Sequence, residues 1–303
     1  MLNTDVYRGR FAPSPTGPLH FGSLVAAVGS FVDARAHGGT WLVRMEDLDP
    51  PRVVRGAADN ILRTLEAHAL HWDGDIVYQS TRHDAYSAAL EQLAAKGATF
   101  SCACTRKEIA DSALGPDGAA VYPGTCRNGL PPGRSGRAVR VRVDDTPIVF
   151  HDRLQGNQRH DLAHEVGDFI VRRADGVHAY QLAVAVDDAY QGITDIVRGA
   201  DLLASTPRQI HLQRLLGFAT PRYLHLPVAT NARGEKLSKQ TLAAPVDAEY
   251  ASAGLIAALG FLDHRPPVAL HGAPPEELLQ WAVANWQVAR LPRTRQLPHP
   301  VSA

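Results

Sequence analysis

The chain has no charge to spare. Its 303 residues carry 31 Lys and Arg against 31 Asp and Glu, so it does not advertise nucleic acid as a strongly basic domain would, and any RNA contact has to use a local patch. No apolar run approaches the roughly 20 residues that span a bilayer. The start, Met1-Leu2-Asn3-Thr4-Asp5, lacks the charged-then-apolar pattern of a secretory leader. A soluble, cytoplasmic protein with no membrane partner is expected. Cysteine is scarce: Cys102, Cys104 and Cys126 are odd in number and crowd into one short region, which suits a metal site better than a disulfide framework. No internal repeat and no low-complexity segment is found.

What is present reads as an α/β protein of two or three structural units. A short strand, Val6 to Phe11, runs into a Pro/Gly-rich turn. A helix follows from about Gly22, with Leu24, Val25, Val28, Phe31 and Val32 at helical spacing. A second strand around Trp41-Leu42-Val43 is ended by Pro50-Pro51, and Ile61, Leu62, Leu65 and Ala69 mark a second helix. This βαβα order predicts a parallel, doubly wound sheet. Residues 111–136, rich in Gly, Pro and Ala, read as part of an insertion, and Val139, Val141 and Val143 alternate with arginines as in a half-exposed strand. The apolar run Ala179 to Val186 reads as a buried strand that resumes the core. It is followed by Ile193 to Gly199 and a helix near Pro207 to Leu216. On this reading Asp187 and Asp188 form a solvated acidic pair at a strand end and receive no role. Two short helical patterns, near Ala248 to Leu259 and Glu276 to Val288, precede a Pro/Arg-rich tail expected to be poorly ordered.

Two stretches suggest phosphate chemistry. Arg10-Phe-Ala-Pro-Ser-Pro-Thr-Gly-Pro-Leu-His20-Phe-Gly22-Ser23 sets an Arg, a rigid turn, a His and a Gly ahead of a helix N-terminus, where anions are favoured. Gly22 lets backbone approach a nucleotide, and His20 can donate to a phosphate oxygen. Alone, the stretch reads equally well as an ordinary strand-to-helix turn. More than 200 residues later comes Gly234-Glu-Lys236-Leu-Ser-Lys239, whose lysines can grip a triphosphate. Alone, it reads as a solvated basic loop.

Together, and in this order, the two resemble the paired signatures of class I aminoacyl-tRNA synthetases. Within that class the chain resembles the glutamyl-tRNA synthetases over about residues 6–240. The likeness rests on Arg10 to Gly17, Arg44-Met-Glu-Asp-Leu-Asp49, Ile193-Thr-Asp-Ile-Val-Arg198-Gly-Ala-Asp201 and Lys236-Leu-Ser-Lys239. Ala12-Pro13-Ser14-Pro15 stands where the glutamine enzymes favour Pro-Pro-Glu-Pro, and so points to glutamate. Ser23 and Gln240 depart from the family pattern beside its central groups.

The resemblance implies a Rossmann-like, doubly wound parallel sheet, an inserted zinc-containing acceptor-type domain and a short C-terminal helical segment. The implied division is a core in two halves (1–84 and 178–240), an insertion (85–177) and a helical segment with tail (241–303). The implied reaction is attack of a glutamate carboxylate on the α-phosphorus of ATP, with Mg²⁺ arriving on the nucleotide. The nucleophile is already ionised, so positioning and charge stabilisation suffice and no general base is required. His20 then serves the phosphates, Lys239 the departing pyrophosphate with Lys236 in support, and His20, Gly22 and Lys239 bind ATP. Arg10 and Arg198 take the substrate carboxylates and Glu46 the ammonium. Tyr180 and Ser14 close the pocket, and Phe11, Ala12 and Pro13 complete it.

A structural zinc wants four ligands. The residues alone leave the fourth open between Tyr122, a histidine and water; a short relative of the glutamate enzymes implies Cys102, Cys104, Tyr122 and Cys126. Too little sequence follows Lys239 for the anticodon-reading domain of a conventional member. The truncated form of the family activates glutamate without tRNA and transfers it to the queuosine base at the wobble position of tRNA(Asp), and that activity, from a monomer, is the expectation. Two alternatives are a truncated enzyme charging the 3′ end of tRNA(Glu) and a non-catalytic RNA-binding paralogue.

Overall fold

The computed structural model describes residues 6–110, 112–115, 118–231, 233–237 and 244–299. Strand β1 (Arg8–Phe11) leads through the Pro/Gly turn into α1 (Phe21–Ala36), and β2 (Thr40–Met45) returns parallel to β1 with Arg10 opposite Leu42. Helix α2 (Ala57–Ala67) is amphipathic, burying Ala57, Ile61, Thr64 and Leu65 at helical spacing. The two-residue β3 (Val77–Tyr78) pairs parallel with β2. The βαβα reading of the first 70 residues therefore holds.

Helix α3 (His83–Ala95) leads to β4 (Thr99–Cys102), the short α4 (Arg106–Ala110) and β5 (Ala138–Val141). Next come β6 (Ile148–Asp152), β7 (Gly156–His160), the short α5 (Leu162–Glu165) and β8 (Phe169–Arg172). Strands β4, β5 and β8 form a separate antiparallel sheet. The β6–β7 hairpin pairs elsewhere: β6 lies parallel to β10 (Arg222–Leu226), which in turn lies parallel to β9 (Asp195–Gly199). Residues 85–177 are thus shared between two sheets. Thr194 N–H donates to the Arg8 carbonyl at 3.0 Å, bringing β9 alongside β1.

The strand expected from Ala179 is overturned. The run from Ala179 is not a strand but the start of α6 (Tyr180–Tyr190). A short continuous apolar run has no period to distinguish the two. Leu182 to Asp188 are all buried, so the helix is enclosed on nearly every face and leaves no amphipathic stripe to read. Helix α7 (Thr206–Leu216) packs against α6.

After β11 (Val228–Thr230), helices α8 (Ala251–Phe261) and α9 (Pro275–Ala284) cover α1. Residues of the tail are ordered, against expectation: β12 (Gln296–Pro298) pairs parallel with β11. An edge strand offers unpaired N–H and C=O groups that recruit a passing segment. Alternate residues of the central strands enter opposite cores. Val197 and Leu224 join α1, α8 and α9, while Ile196 and Tyr223 join α3, α6 and α7, as expected of a parallel sheet covered on both faces. At the crossing of α1 and β10 a Cβ on Gly29 would lie 2.5 Å from Leu226 Cδ1, so glycine sets how closely helix and sheet approach. Among the described residues no helix is long and apolar enough to cross a membrane.

Candidate active site

The ends of β1, β2 and β9 and the start of α1 open onto a cavity of about 660 Å³. It is lined by Arg10, Phe11, Ala12, Pro13, Ser14, His20, Gly22, Glu46, Tyr180, Arg198 and Lys236. Residues drawn from positions 10 to 236 are thereby brought to one place. Lys239 lies outside the described residues.

His20 caps α1: its Nδ1 accepts from Ser23 N–H at 3.3 Å, and its Nε2 lies 3.1 Å from Ser23 Oγ. An Nδ1 that accepts leaves the proton of a neutral imidazole on Nε2, making that atom the donor. Ser23, a departure from the family pattern, is therefore part of the device that orients the ring. A Cβ on Gly22 would meet His20 Cε1 at 3.2 Å and the Leu237 carbonyl at 3.7 Å. Glycine at this position gives the ring its space. Lys236 Nζ sits on Asp201 Oδ2 at 2.6 Å.

The arginines are tied down from behind. Arg10 Nε donates to Asp188 Oδ1 at 3.1 Å, and the same oxygen receives Arg44 NH1 at 2.8 Å. Arg44, fully buried, also donates to Gln191 Oε1 at 2.8 Å and reaches Glu46 Oε1 at 3.4 Å. Asp187 accepts from Gln79, Arg82 and Tyr86 at 2.9, 2.6 and 2.7 Å. Asp187 and Asp188 are thus buried ion-pair partners on α6, not a solvated strand end. The strand assignment hid them, because an alternating chain sends consecutive acids to opposite faces, whereas this helix is enclosed all round.

Burial acts to raise the Asp188 pKa, but Arg10 and Arg44 outweigh it and hold the carboxyl below its ordinary value. Glu46 goes the other way: burial pushes it up, and Arg44 and Arg10 offset only part of that. Burial, with Glu46 adding, pushes Tyr180 up to about 12, so the phenol stays protonated and can donate. Arg198 is 5% exposed and donates through NH2 to Thr206 Oγ1 at 2.8 Å. Arg10, Arg198 and Glu46 thus line the same cavity, a set suited to a small zwitterion with an extra carboxylate.

The three cysteine sulfurs lie apart from this cavity and within 4.8 Å of one another. Cys104 and Cys126 Sγ are 3.6 Å apart, and Tyr122 Oη lies 3.6 Å from Cys102 Sγ and 3.9 Å from Cys104 Sγ. Arg140 stacks on the Tyr122 ring at 3.8 Å and donates to Cys102 Sγ at 3.3 Å. Burial acts to raise the Cys102 pKa, but its hydrogen bonds with Tyr122 and Arg140 outweigh that and lower it.

A cavity at the carboxyl ends of parallel strands, beside a capped helix entrance, is where open α/β folds bind their ligands. The family model described as "tRNA synthetases class I (E and Q), catalytic domain" matches residues 7–255, and the chain belongs to that family. Among its relatives, the glutamyl-Q tRNA(Asp) synthetase of Aromatoleum aromaticum is 63% identical over 294 residues, covering 97% of this chain and 93% of the relative. That of Chromobacterium violaceum is 61% identical over 292 residues, covering 96% and 97%. In fold the chain is similar to the glutamate–tRNA synthetase of Elizabethkingia anophelis. The TM-score is 0.76 at 21% identity, over 98% of this chain and 68% of the other.

Proposed function

We propose that the chain activates L-glutamate with ATP and transfers it to the queuosine base of tRNA(Asp), as a glutamyl-Q tRNA(Asp) synthetase. The observation that carries the activation step is the convergence of Arg10, Arg198, Glu46 and Tyr180 on one cavity beside His20. The acceptor rests on full-length relatives that bear that name at up to 63% identity.

In this reading Arg10 and Arg198 bind the carboxylates of glutamate and Glu46 its ammonium. Tyr180 and Ser14 donate to the substrate, and Phe11, Ala12 and Pro13 wall the pocket. A carboxylate oxygen attacks the α-phosphorus of ATP, and pyrophosphate leaves. His20 exchanges Ser23 Oγ for a phosphate oxygen as the acceptor of its Nε2–H at the α1 entrance, where the helix dipole favours negative charge. Lys236 exchanges Asp201 for phosphate oxygens, and Lys239 meets the departing pyrophosphate. Magnesium arriving with ATP would supply further neutralisation of phosphate charge. The acyl group then passes from the adenylate to the acceptor with release of AMP.

Cys102, Cys104, Tyr122 and Cys126 would hold one structural zinc. In a tetrahedral site with Zn–S near 2.3 Å, neighbouring sulfurs stand about 3.8 Å apart, and the Cys104–Cys126 separation of 3.6 Å fits that geometry. Tyr122 Oη is the fourth donor within reach of two of the sulfurs.

The test is ATP–pyrophosphate exchange dependent on glutamate in the absence of tRNA, followed by transfer of labelled glutamate to queuosine-containing tRNA(Asp) and to tRNA(Glu). Exchange without tRNA and labelling of tRNA(Asp) alone are expected. Absence of exchange refutes the activation step; labelling of tRNA(Glu) at its 3′ end refutes the acceptor.

A further inference from the structure

Behind the cavity three side chains stand in line. Arg198 and His225 are Cα partners in the parallel register of β9 and β10, and Arg198 Nε lies 3.1 Å from His225 Nε2. His225 Nδ1 lies 2.6 Å from Asp152 Oδ2, at the end of β6. Both His225 and Asp152 have side chains fully removed from solvent. Asp152 Oδ1 is occupied separately, by the backbone N–H groups of Leu154 at 3.0 Å, Gln155 at 2.8 Å and His225 at 3.3 Å.

The proton inventory of this line is forced. A guanidinium can only donate, so His225 Nε2 accepts and the imidazole proton sits on Nδ1, facing Asp152. The ring is neutral, since burial brings its pKa down to about 4 despite the neighbouring acid. Arg198 is therefore restrained by uncharged groups: an imidazole nitrogen, Thr206 Oγ1 and, at 3.5 Å, the Leu202 carbonyl. Arg10 differs, because Asp188 neutralises it directly. Arg198 NH1 is buried and has no hydrogen-bond partner among the described residues, on a side chain that lines the cavity. A buried donor left unmade is costly and points to an acceptor brought by a ligand.

We propose that His225, fixed by Asp152, is a positioning residue for Arg198: it holds Nε from behind as a neutral acceptor, so the guanidinium keeps its orientation and its full charge for a substrate carboxylate. This rests on the glutamate reading given above. Asp152→Asn tests it with little disturbance. An amide whose oxygen stays on the three backbone N–H groups turns its NH₂ toward His225 Nδ1. That nitrogen must then accept, the ring proton moves to Nε2, and a donor faces the Arg198 Nε–H.

In glutamate-dependent exchange, Asp152→Asn is expected to raise KM for glutamate about tenfold and to leave KM for ATP within about twofold. His225→Leu should do the same by removing the acceptor. His225→Gln, whose amide oxygen can replace Nε2 as acceptor, should recover most of the loss. In an Arg198→Ala background neither Asp152→Asn nor His225→Leu should add more than about twofold. Equal rises in both KM values, effects that multiply with Arg198→Ala, or an unchanged glutamate KM overturn the proposal. Should His225→Leu not fold, Asp152→Asn and His225→Gln decide the matter alone. Wild-type protein without glutamate-dependent exchange defeats the functional reading itself, whereas an active wild type with an indifferent Asp152→Asn defeats only this inference.

Discussion

Removing Asp188 should cost the protein a large share of its stability. Its carboxylate is 3% exposed, and one oxygen takes both Arg10 Nε at 3.1 Å and Arg44 NH1 at 2.8 Å. Asp188→Ala removes two charge-assisted hydrogen bonds and leaves two buried guanidinium groups with Glu46 as the nearest acid. Breaking a buried pair from one side costs about 3–5 kcal/mol, against a total stability on the order of 5–15 kcal/mol. Asp188→Asn keeps an oxygen in place and loses only the charge, so about half that cost is expected. Urea denaturation followed by circular dichroism measures both, with an unchanged m-value as the sign that the unfolded state is not what moved. The sign of the pH dependence follows from a folded-state pKa below the ordinary one. The stabilisation is present above the unfolded pKa of about 3.9 and is lost as pH falls through the lower folded value. Asp188→Asn should lack that acid limb. A cost below about 1 kcal/mol for Asp188→Ala, typical of a solvated carboxylate, would refute the argument.

Three further outcomes are expected. Purified protein should carry one zinc per chain by elemental analysis, and chelation or Cys126→Ser should lower the melting temperature; a metal-free protein of unchanged stability counts against the site. Glu46, raised by burial, should make KM for glutamate climb as pH falls through its elevated pKa, because the protonated acid no longer pairs with an ammonium. Its linkage to stability has the opposite sense, favouring the fold below the unfolded pKa and fading as pH rises through the folded one. Glu46→Gln should flatten the KM profile, and a persisting slope assigns the titration elsewhere. Lys239→Ala should slow adenylate formation about a hundredfold with an unaltered circular dichroism spectrum; an unchanged rate removes Lys239 from the reaction.

Much of the site was written in local sequence. The turn from Arg10 to Ser23 carries its own cap, Glu46 follows directly on a strand, and Arg198 ends another, so strand-end position and motif spacing place them on one side of a parallel sheet. The cysteine cluster was equally legible, since Cys102 and Cys104 are next-but-one neighbours and Tyr122 sits four residues before Cys126. Three readings were wrong for physical reasons: the strand from Ala179, the solvated acidic pair that followed from it, and the poorly ordered tail. Helix α6 is enclosed on nearly all sides, its two aspartates included, and has no period to betray it, and the tail gains its order from the exposed edge of β11.

Sequence by itself therefore determined which cations, acids and Gly/Pro-rich turns the chain brings, and the parallel α/β scaffold that presents them. Tertiary structure alone decided what stands behind them. Arg44 meets Asp188 across 144 residues, Arg10 meets it across 178, and His225 faces Arg198 and Asp152 across 27 and 73. Such partners leave no local trace. Whether an Asp is solvated or enclosed depends on which helices close over it, and that is settled by the packing of distant segments, not by the residues beside it in the chain.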